Sequence, residues 1–557
     1  MISVILIWLY TLITVFLLGY GFATIWKKIT GYSMEGFLDL LMAGIVAATV
    51  YAQFYSLIAP IGLITHLLLV AFCFLIFWRN RKSLKEVAEK TFTLHGKYCV
   101  VGAVALFFLM AYGTSKGYMH YDTALYHAQS IRWLEECGVV KGLGNLHCRL
   151  AYNSASFPLT ALYGMGFLGG QSFHVMAGFL AWMVSVEAAK IGKAFGRKRL
   201  VLSDYGRIMA IYYLLIIYDE MVSPASDYFM VLTCFYLVIR WLSLWEAKES
   251  RPEPYGLLCI LGVYLITVKL SAAVILLLTL IPAVQLIKEK KWKTIGCCLV
   301  TGILTALPYF IRNVVISGWL VYPFTQLDFF PVDWKIPKGL ADCDAREIQV
   351  WGRGYTDVLQ YDLPITRWFG NWFAKQTMMD KLFILVSFAG VLFLVIKYIY
   401  YVYQYFHGRK PDKGAVFLLY TETVLGACFL FWVSTSPLIR YGCVYVWLTG
   451  VIIWAEVIEK LCSHVYARRL VYTLILLFGC YKMVMFSKEL IQSGTTRYLV
   501  WQQDYDNYPT ESYEIQGITF YKALEGDQTG YEPFPSGPGE AEIKLRGTTL
   551  EEGFLAQ

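Results

Sequence analysis

Fourteen runs of mostly apolar residues divide the chain, and a polypeptide that repeats such runs must either bury them in lipid or precipitate. They lie near 2–25, 36–59, 61–78, 97–115, 172–190, 207–219, 226–245, 255–268, 271–287, 294–316, 381–406, 415–434, 441–458 and 468–486. Many approach the roughly 20 residues that a helix needs to cross a bilayer. Composition points the same way: 57% of the 557 residues are hydrophobic and 16% are charged, against about a quarter charged in soluble domains. We therefore expect an all-α integral membrane protein of 13–14 transmembrane helices. The first run precedes its charges, Lys27 and Lys28, and lacks a small-x-small cleavage site, so it reads as a retained span. The short, glycine-containing stretch 157–169 reads as a re-entrant or interfacial piece.

Basic residues orient the threading. Clusters occur at Lys27–Lys28, at Arg79, Arg81, Lys82 and Lys85, at Lys193 and Arg197–Arg199, at Lys248 and Arg251, at Lys288–Lys293, at Arg409, Lys410 and Lys413, and at Lys460, Arg468 and Arg469. If the spans alternate from an outside N-terminus, all seven fall on one side. The positive-inside rule makes that side cytoplasmic, and the net charge of +8 is then a membrane feature rather than a nucleic-acid footprint. The opposite, extracytoplasmic side receives long loops at 116–171 and 317–380 and a C-terminal tail at 487–557. The thirteen cysteines form no disulfide framework, and most sit inside apolar runs. Cys137 and Cys148 share a polar segment and are the one candidate pair. No zinc spacing is present.

Polar residues at bilayer edges are expensive and mark function. The first outer loop holds His120, Tyr121, Asp122, His127, Arg132, Arg149, Tyr152 and Asn153. Residues 122–136 have helical periodicity, so Asp122 is either an N-cap or a general base; the histidines are either interfacial packing or site groups. Gly142 and Gly144 read as a turn where backbone approaches something closely. The short loop 218–228 adds Asp219, Glu220 and Asp227, of which Asp227 or Ser226 could cap the following helix. Lys269, in ITVKLSA, either snorkels to the surface or meets a phosphate. Arg312–Asn313 and Arg440 lie at outer span ends, suited to a lipid-linked phosphate or to ion pairs with the loop acids. Tyr322, Trp351, Trp368 and Trp372 in the 317–380 loop serve as interfacial anchors or as sugar-stacking surfaces.

An acid just after a span in the first outer loop, acids again in the second and basic residues at later outer ends resemble the C-type (GT-C) glycosyltransferases. YDTALYHAQSIRW, GLGNLHCRLAYNS and RNVVISGWLVYPF are similar to the LIC_10190-type family of bacterial membrane proteins. The resemblance implies residues 1–90 as added N-terminal spans, a GT-C core at 91–486 and the tail 487–557. It implies a bacterial cytoplasmic membrane, a polyprenyl-phosphate-linked sugar donor and a glycan, lipid or protein acceptor on the outer face. Asp122 takes the place of the catalytic acid, with Glu220, Asp227 or Asp219 as the second-loop acid. His120, Tyr121, His127, Arg149, Asp219, Lys269, Arg312, Asn313 and Arg440 become substrate-binding candidates. Many relatives carry two adjacent acids in the first loop; here His120-Tyr121-Asp122 offers one, which leaves a divalent metal open. A transporter or flippase, or a polymerase or ligase for lipid-linked polysaccharide, is the alternative. A flippase would place its charges at the midplane within repeats, and neither feature is present.

Overall fold

The computed structural model describes residues 1–461 apart from Lys198, and 497–556, with scattered positions between. The expected span at 468–486 lies outside the described residues. Eight described helices are long and apolar enough to cross a membrane: α1 (Ile2–Thr30), α2 (Phe37–Ser56), α3 (Leu63–Lys85), α9 (Ser226–Glu246), α11 (Leu270–Lys288), α12 (Trp292–Ser317), α15 (Met378–Phe406) and α16 (Lys413–Thr435). The chain is thus a multi-pass, mainly α-helical membrane protein. The other five described runs are also helical: α4 (Cys99–Ser115), α7 (Met176–Ala188), α8 (Leu202–Ile216), α10 (Pro252–Val268) and α17 (Cys443–Leu461). α7, α8 and α10 are shorter than a full span, α4 is the last part of a helical stretch that runs from Leu63 to Ser115, and α17 carries Glu456, Glu459 and Lys460. Between the spans lie α5 (Ala128–Glu136), α6 (Ser156–Leu162), α13 (Lys338–Gly352) and α14 (Ile365–Lys375). Every residue of α6 is buried, so the first half of the 157–169 stretch lies inside the protein, while its second half is half-buried to exposed, with Leu168 73% exposed.

Side-chain contacts fix the helix directions. Tyr10 meets His66 and Tyr20 meets Ser83 at 2.9 Å each, so α3 runs with α1. Trp8 packs on Phe107, 5.2 Å between rings, so α4 returns against it. α1 and α2 cross backbone to backbone because two glycines remove the obstacle. A Cβ on Gly19 would stand 1.9 Å from the Leu40 carbonyl oxygen, and one on Gly44 1.8 Å from that of Val15. Close approach through small residues is how helices associate where lipid supplies no hydrophobic drive.

The two ends of the bundle differ. At one, Arg251 stacks on Tyr32, Lys291 pairs with Glu253 at 2.8 Å, and Ser203 bonds Glu246 at 2.6 Å. This end gathers the described basic clusters. At the other, Gln502 bonds Ser3 and the Thr114 carbonyl, and Ala155 bonds the Thr267 carbonyl. The loops, the tail and the candidate site lie there.

The tail departs from an all-α chain. It forms a hairpin of β1 (Thr510–Ile515) and β2 (Ile518–Ala523), extended by β3 (Ser536–Gly537), and a ribbon of β4 (Ile543–Leu545) and β5 (Phe554–Ala556). The hairpin turns at Gln516–Gly517, both at positive φ, the requirement of a type I′ turn. The tail is bound to α5: Gln129 donates to the carbonyls of Gly530, Tyr531 and Pro533, and Arg132 pairs with Glu532. Gly142, at φ 67°, is the expected close approach, since a Cβ there would sit 2.3 Å from the Phe554 carbonyl oxygen. Cys137 and Cys148 are both free thiols, and Cys148 turns to Asp344 instead, 3.6 Å away.

Candidate functional site

Four separate turns at the loop end bring charged groups together. His120 and Asp122 follow α4, Asp227 opens α9, Lys269 links α10 to α11, and Arg440 precedes α17. Asp122 is 9% exposed. Although it stands at the start of a helical stretch, its side chain caps no backbone amide. Its carboxylate instead receives Arg440 at 2.8 Å. His120 sits between them: its Nδ1 accepts the Asp122 amide at 3.1 Å, and its ring also contacts the Arg440 guanidinium. Burial, and then the Arg440 charge, lower the His120 pKa, so the ring is neutral at neutral pH. Burial works to lower the Arg440 pKa, but Tyr441, then the carboxylates of Asp227 and Asp122, raise it overall, keeping the guanidinium charged.

Asp227 lies in the first turn of α9 without capping it. It pairs with Lys269, whose ammonium lies 3.9 Å above the Tyr441 ring. Arg440 lies over the same ring at 5.0 Å and reaches its hydroxyl at 3.3 Å. Tyr441 thus separates two acid–base pairs. Lys269 therefore neither snorkels nor stands free, and Arg440 takes the loop-acid ion pair that was one of its two readings.

The remaining candidates distribute around this pair of pairs. His127 is buried behind His120, 6.3 Å between rings, and shares a 3.3 Å hydrogen bond with Thr123. Tyr121 points outward and donates to Asp527 of the tail. Arg149 stacks on Trp351 at 4.3 Å. Glu220 accepts from Tyr228 at 2.6 Å, making it a partner of that tyrosine rather than of either cation. Asp219 contributes its backbone carbonyl to the Tyr118 amide at 2.6 Å. Arg312 and Asn313 do not reach the site. Both are buried in α12, where Arg312 faces a separate internal cavity and Asn313 donates to the Leu320 carbonyl at 3.2 Å. Proximity in sequence to the outer end did not determine which way the helix turned them.

Two groups were not anticipated. Tyr441 adjoins Arg440 in sequence and carries no motif that singles it out. Asp344 accepts from Tyr152 at 2.7 Å, is 3% exposed, and has its pKa raised by burial. Tyr152 packs on Tyr126 at 5.6 Å, linking Asp344 to the Asp122 loop. In sequence Asp344 sits among polar helical residues and reads as a solvated face. Among the described residues no three His, Cys, Asp or Glu side chains group closely enough to hold a metal ion. The donor set at Asp122 does not fit one, since its near neighbours are a guanidinium and a histidine that contacts it.

A family described as a domain of unknown function (DUF8201) matches residues 1–447. That match includes every charged group of the site and stops before the tail. No curated protein and no solved structure matches the chain.

Proposed function

The chain belongs to the DUF8201 family, and from that premise we propose that it is a membrane glycosyltransferase of GT-C type. It would transfer a sugar from a polyprenyl-phosphate-linked donor to a cell-envelope acceptor on the extracytoplasmic face of a bacterial cytoplasmic membrane. The observation that carries this reading is the convergence of Asp122, His120, Asp227, Lys269 and Arg440 from four turns at one end of the bundle, with Arg440 about one-third exposed. Ionisable groups gathered in a membrane protein mark functional sites, and two cations and two acids around one aromatic ring are suited to handling an anion and a proton.

In this reaction the donor's phosphate meets Arg440 and Lys269. The acceptor oxygen bonds to the sugar's anomeric carbon while the bond from that carbon to the phosphate oxygen breaks. Asp122 takes the acceptor's hydroxyl proton, and polyprenyl phosphate leaves with its developing charge held by the two cations. One displacement inverts the anomeric centre. Asp227 holds Lys269, and neutral His120 orients Arg440 against Asp122. The test is Asp122→Asn in membranes where expression and insertion match the wild type. Sugar transfer from a polyprenyl-phosphate donor disappears; transfer at the wild-type rate would refute the assignment.

A further inference from the structure

A small pocket with a mainly apolar lining and a few polar groups lies beneath α5, apart from the charged turns. It is a cavity of about 20 Å³, lined among others by Ser130, Trp133, Asn153, Phe157, Arg312 and Ile316. That is room for one water-sized group. Its polar lining is unsatisfied: Ser130 Oγ, Trp133 Nε1, Arg312 Nε, Arg312 Nη1 and Asn153 Oδ1 are all buried and make no hydrogen bond among the described residues. Arg312 is 2% exposed. The charged or ionisable neighbour acting on it is Tyr309, not a carboxylate.

We propose that this cavity is a binding site for a small monovalent anion of chloride size. The donor chemistry selects for it. Guanidinium and indole N–H groups only donate, and a serine hydroxyl both donates and accepts, so the unpartnered donors of these lining residues outnumber the acceptors, Asn153 Oδ1 and Ser130 Oγ. A single water molecule accepts from two donors and leaves the others unpartnered, whereas an anion can accept from more of them at once. It also supplies the counter-charge for a buried guanidinium, a group that proteins do not leave unpaired without heavy cost. The cavity's size excludes carboxylates and phosphate. The bound anion joins α12, through Arg312, to α5, through Ser130 and Trp133, and so braces the loop that presents Asp122. This site is independent of the transferase reading.

The test uses the full-length protein in lipid nanodiscs, with chloride or bromide exchanged for gluconate at constant ionic strength. The melting temperature of the wild type rises saturably with either halide; at about five times the dissociation constant the rise is roughly 1 °C. Arg312→Gln removes the response. Trp133→Phe, which keeps the ring and loses the N–H, moves half-saturation to halide concentrations roughly tenfold higher. If Arg312→Gln does not fold, Trp133→Phe carries the test alone. A wild type whose melting temperature ignores halide overturns the site, as does a halide response unchanged by Trp133→Phe.

Discussion

Docking of the tail onto α5 should weaken as pH rises, and the reason is a single carboxyl group. Glu135 accepts from Ser172 at 2.7 Å and from Tyr531 of the tail at 2.6 Å. Burial pushes its pKa from 4.5 up to about 7, outweighing those two donors; Glu136 adds to the rise and Arg132 opposes it. Once the tail leaves, the carboxyl regains solvent and its ordinary value. The docked state therefore prefers the protonated form. Its advantage is complete below about pH 4.5, declines as pH climbs, and is gone above about pH 7. At 1.36 kcal/mol per tenfold, the rise corresponds to roughly 3 kcal/mol, an upper bound because Glu135 keeps some exposure. Hydrogen exchange of residues 505–556 in nanodiscs, followed from pH 5 to 8 and corrected for intrinsic rates, reads the effect. Protection should fall across that range in the wild type and stay level in Glu135→Gln. Wild-type protection that is flat with pH, or an equal slope in the glutamine variant, would refute the argument.

Three further outcomes follow from packing and charge. Phe554 is fully buried against Trp133 and Phe520, so Phe554→Ala should cost about 3–5 kcal/mol of tail docking, seen as protease cleavage within 540–556. Gly44→Leu drives a side chain into the Val15 carbonyl and should abolish folded monodisperse protein, whereas Ala43→Leu, facing the lipid-side groove, should not. Lys397 pairs with buried Glu422 at 2.8 Å between α15 and α16. Glu422→Ala should destabilise by about 3–5 kcal/mol, and adding Lys397→Met should restore most of it, measured by thermal unfolding in detergent.

The sequence disclosed most where the physics is one-dimensional. A span needs only enough consecutive apolar residues, and each of the thirteen described runs is a helix. Charge at a span end is likewise a local property, so Lys269 and Arg440 stood out before any geometry. What remained hidden needs a third dimension. Arg312 and Arg440 carried equal weight as outer arginines, yet the rotation of α12 turns Arg312 inward to α5 while the turn before α17 sends Arg440 to Asp122. Asp344 was lost in a polar helix whose buried face is set by its neighbours. The hairpin in the tail did have a signal. TESYEI and ITFYKA alternate about Gln516–Gly517, the pattern of two strands joined by a tight turn, a signal masked by the glycines and prolines that follow, which read only as a small appendage partly ordered by its tyrosines.

The Asp122–Arg440 pair imposes an order on the proposed reaction. The Asp122 carboxylate oxygen that would receive the acceptor's proton is already occupied by the Arg440 guanidinium at 2.8 Å. Asp122 becomes effective only when Arg440 is drawn elsewhere, and the group best able to draw it is the donor's phosphate, which binds arginine with both charge and paired hydrogen bonds. Donor binding would then switch on the base, and an acceptor arriving first would meet an inert acid. Arg440→Gln should consequently raise the donor KM strongly while weakening the dependence of acceptor activation on donor occupancy. Lys269→Gln, whose partner is Asp227 rather than Asp122, should raise the donor KM and leave that coupling intact. Steady-state kinetics with both substrates varied decide the matter. Random-order binding in the wild type, or the same loss of order in both variants, would show that the ion pair does not gate the base.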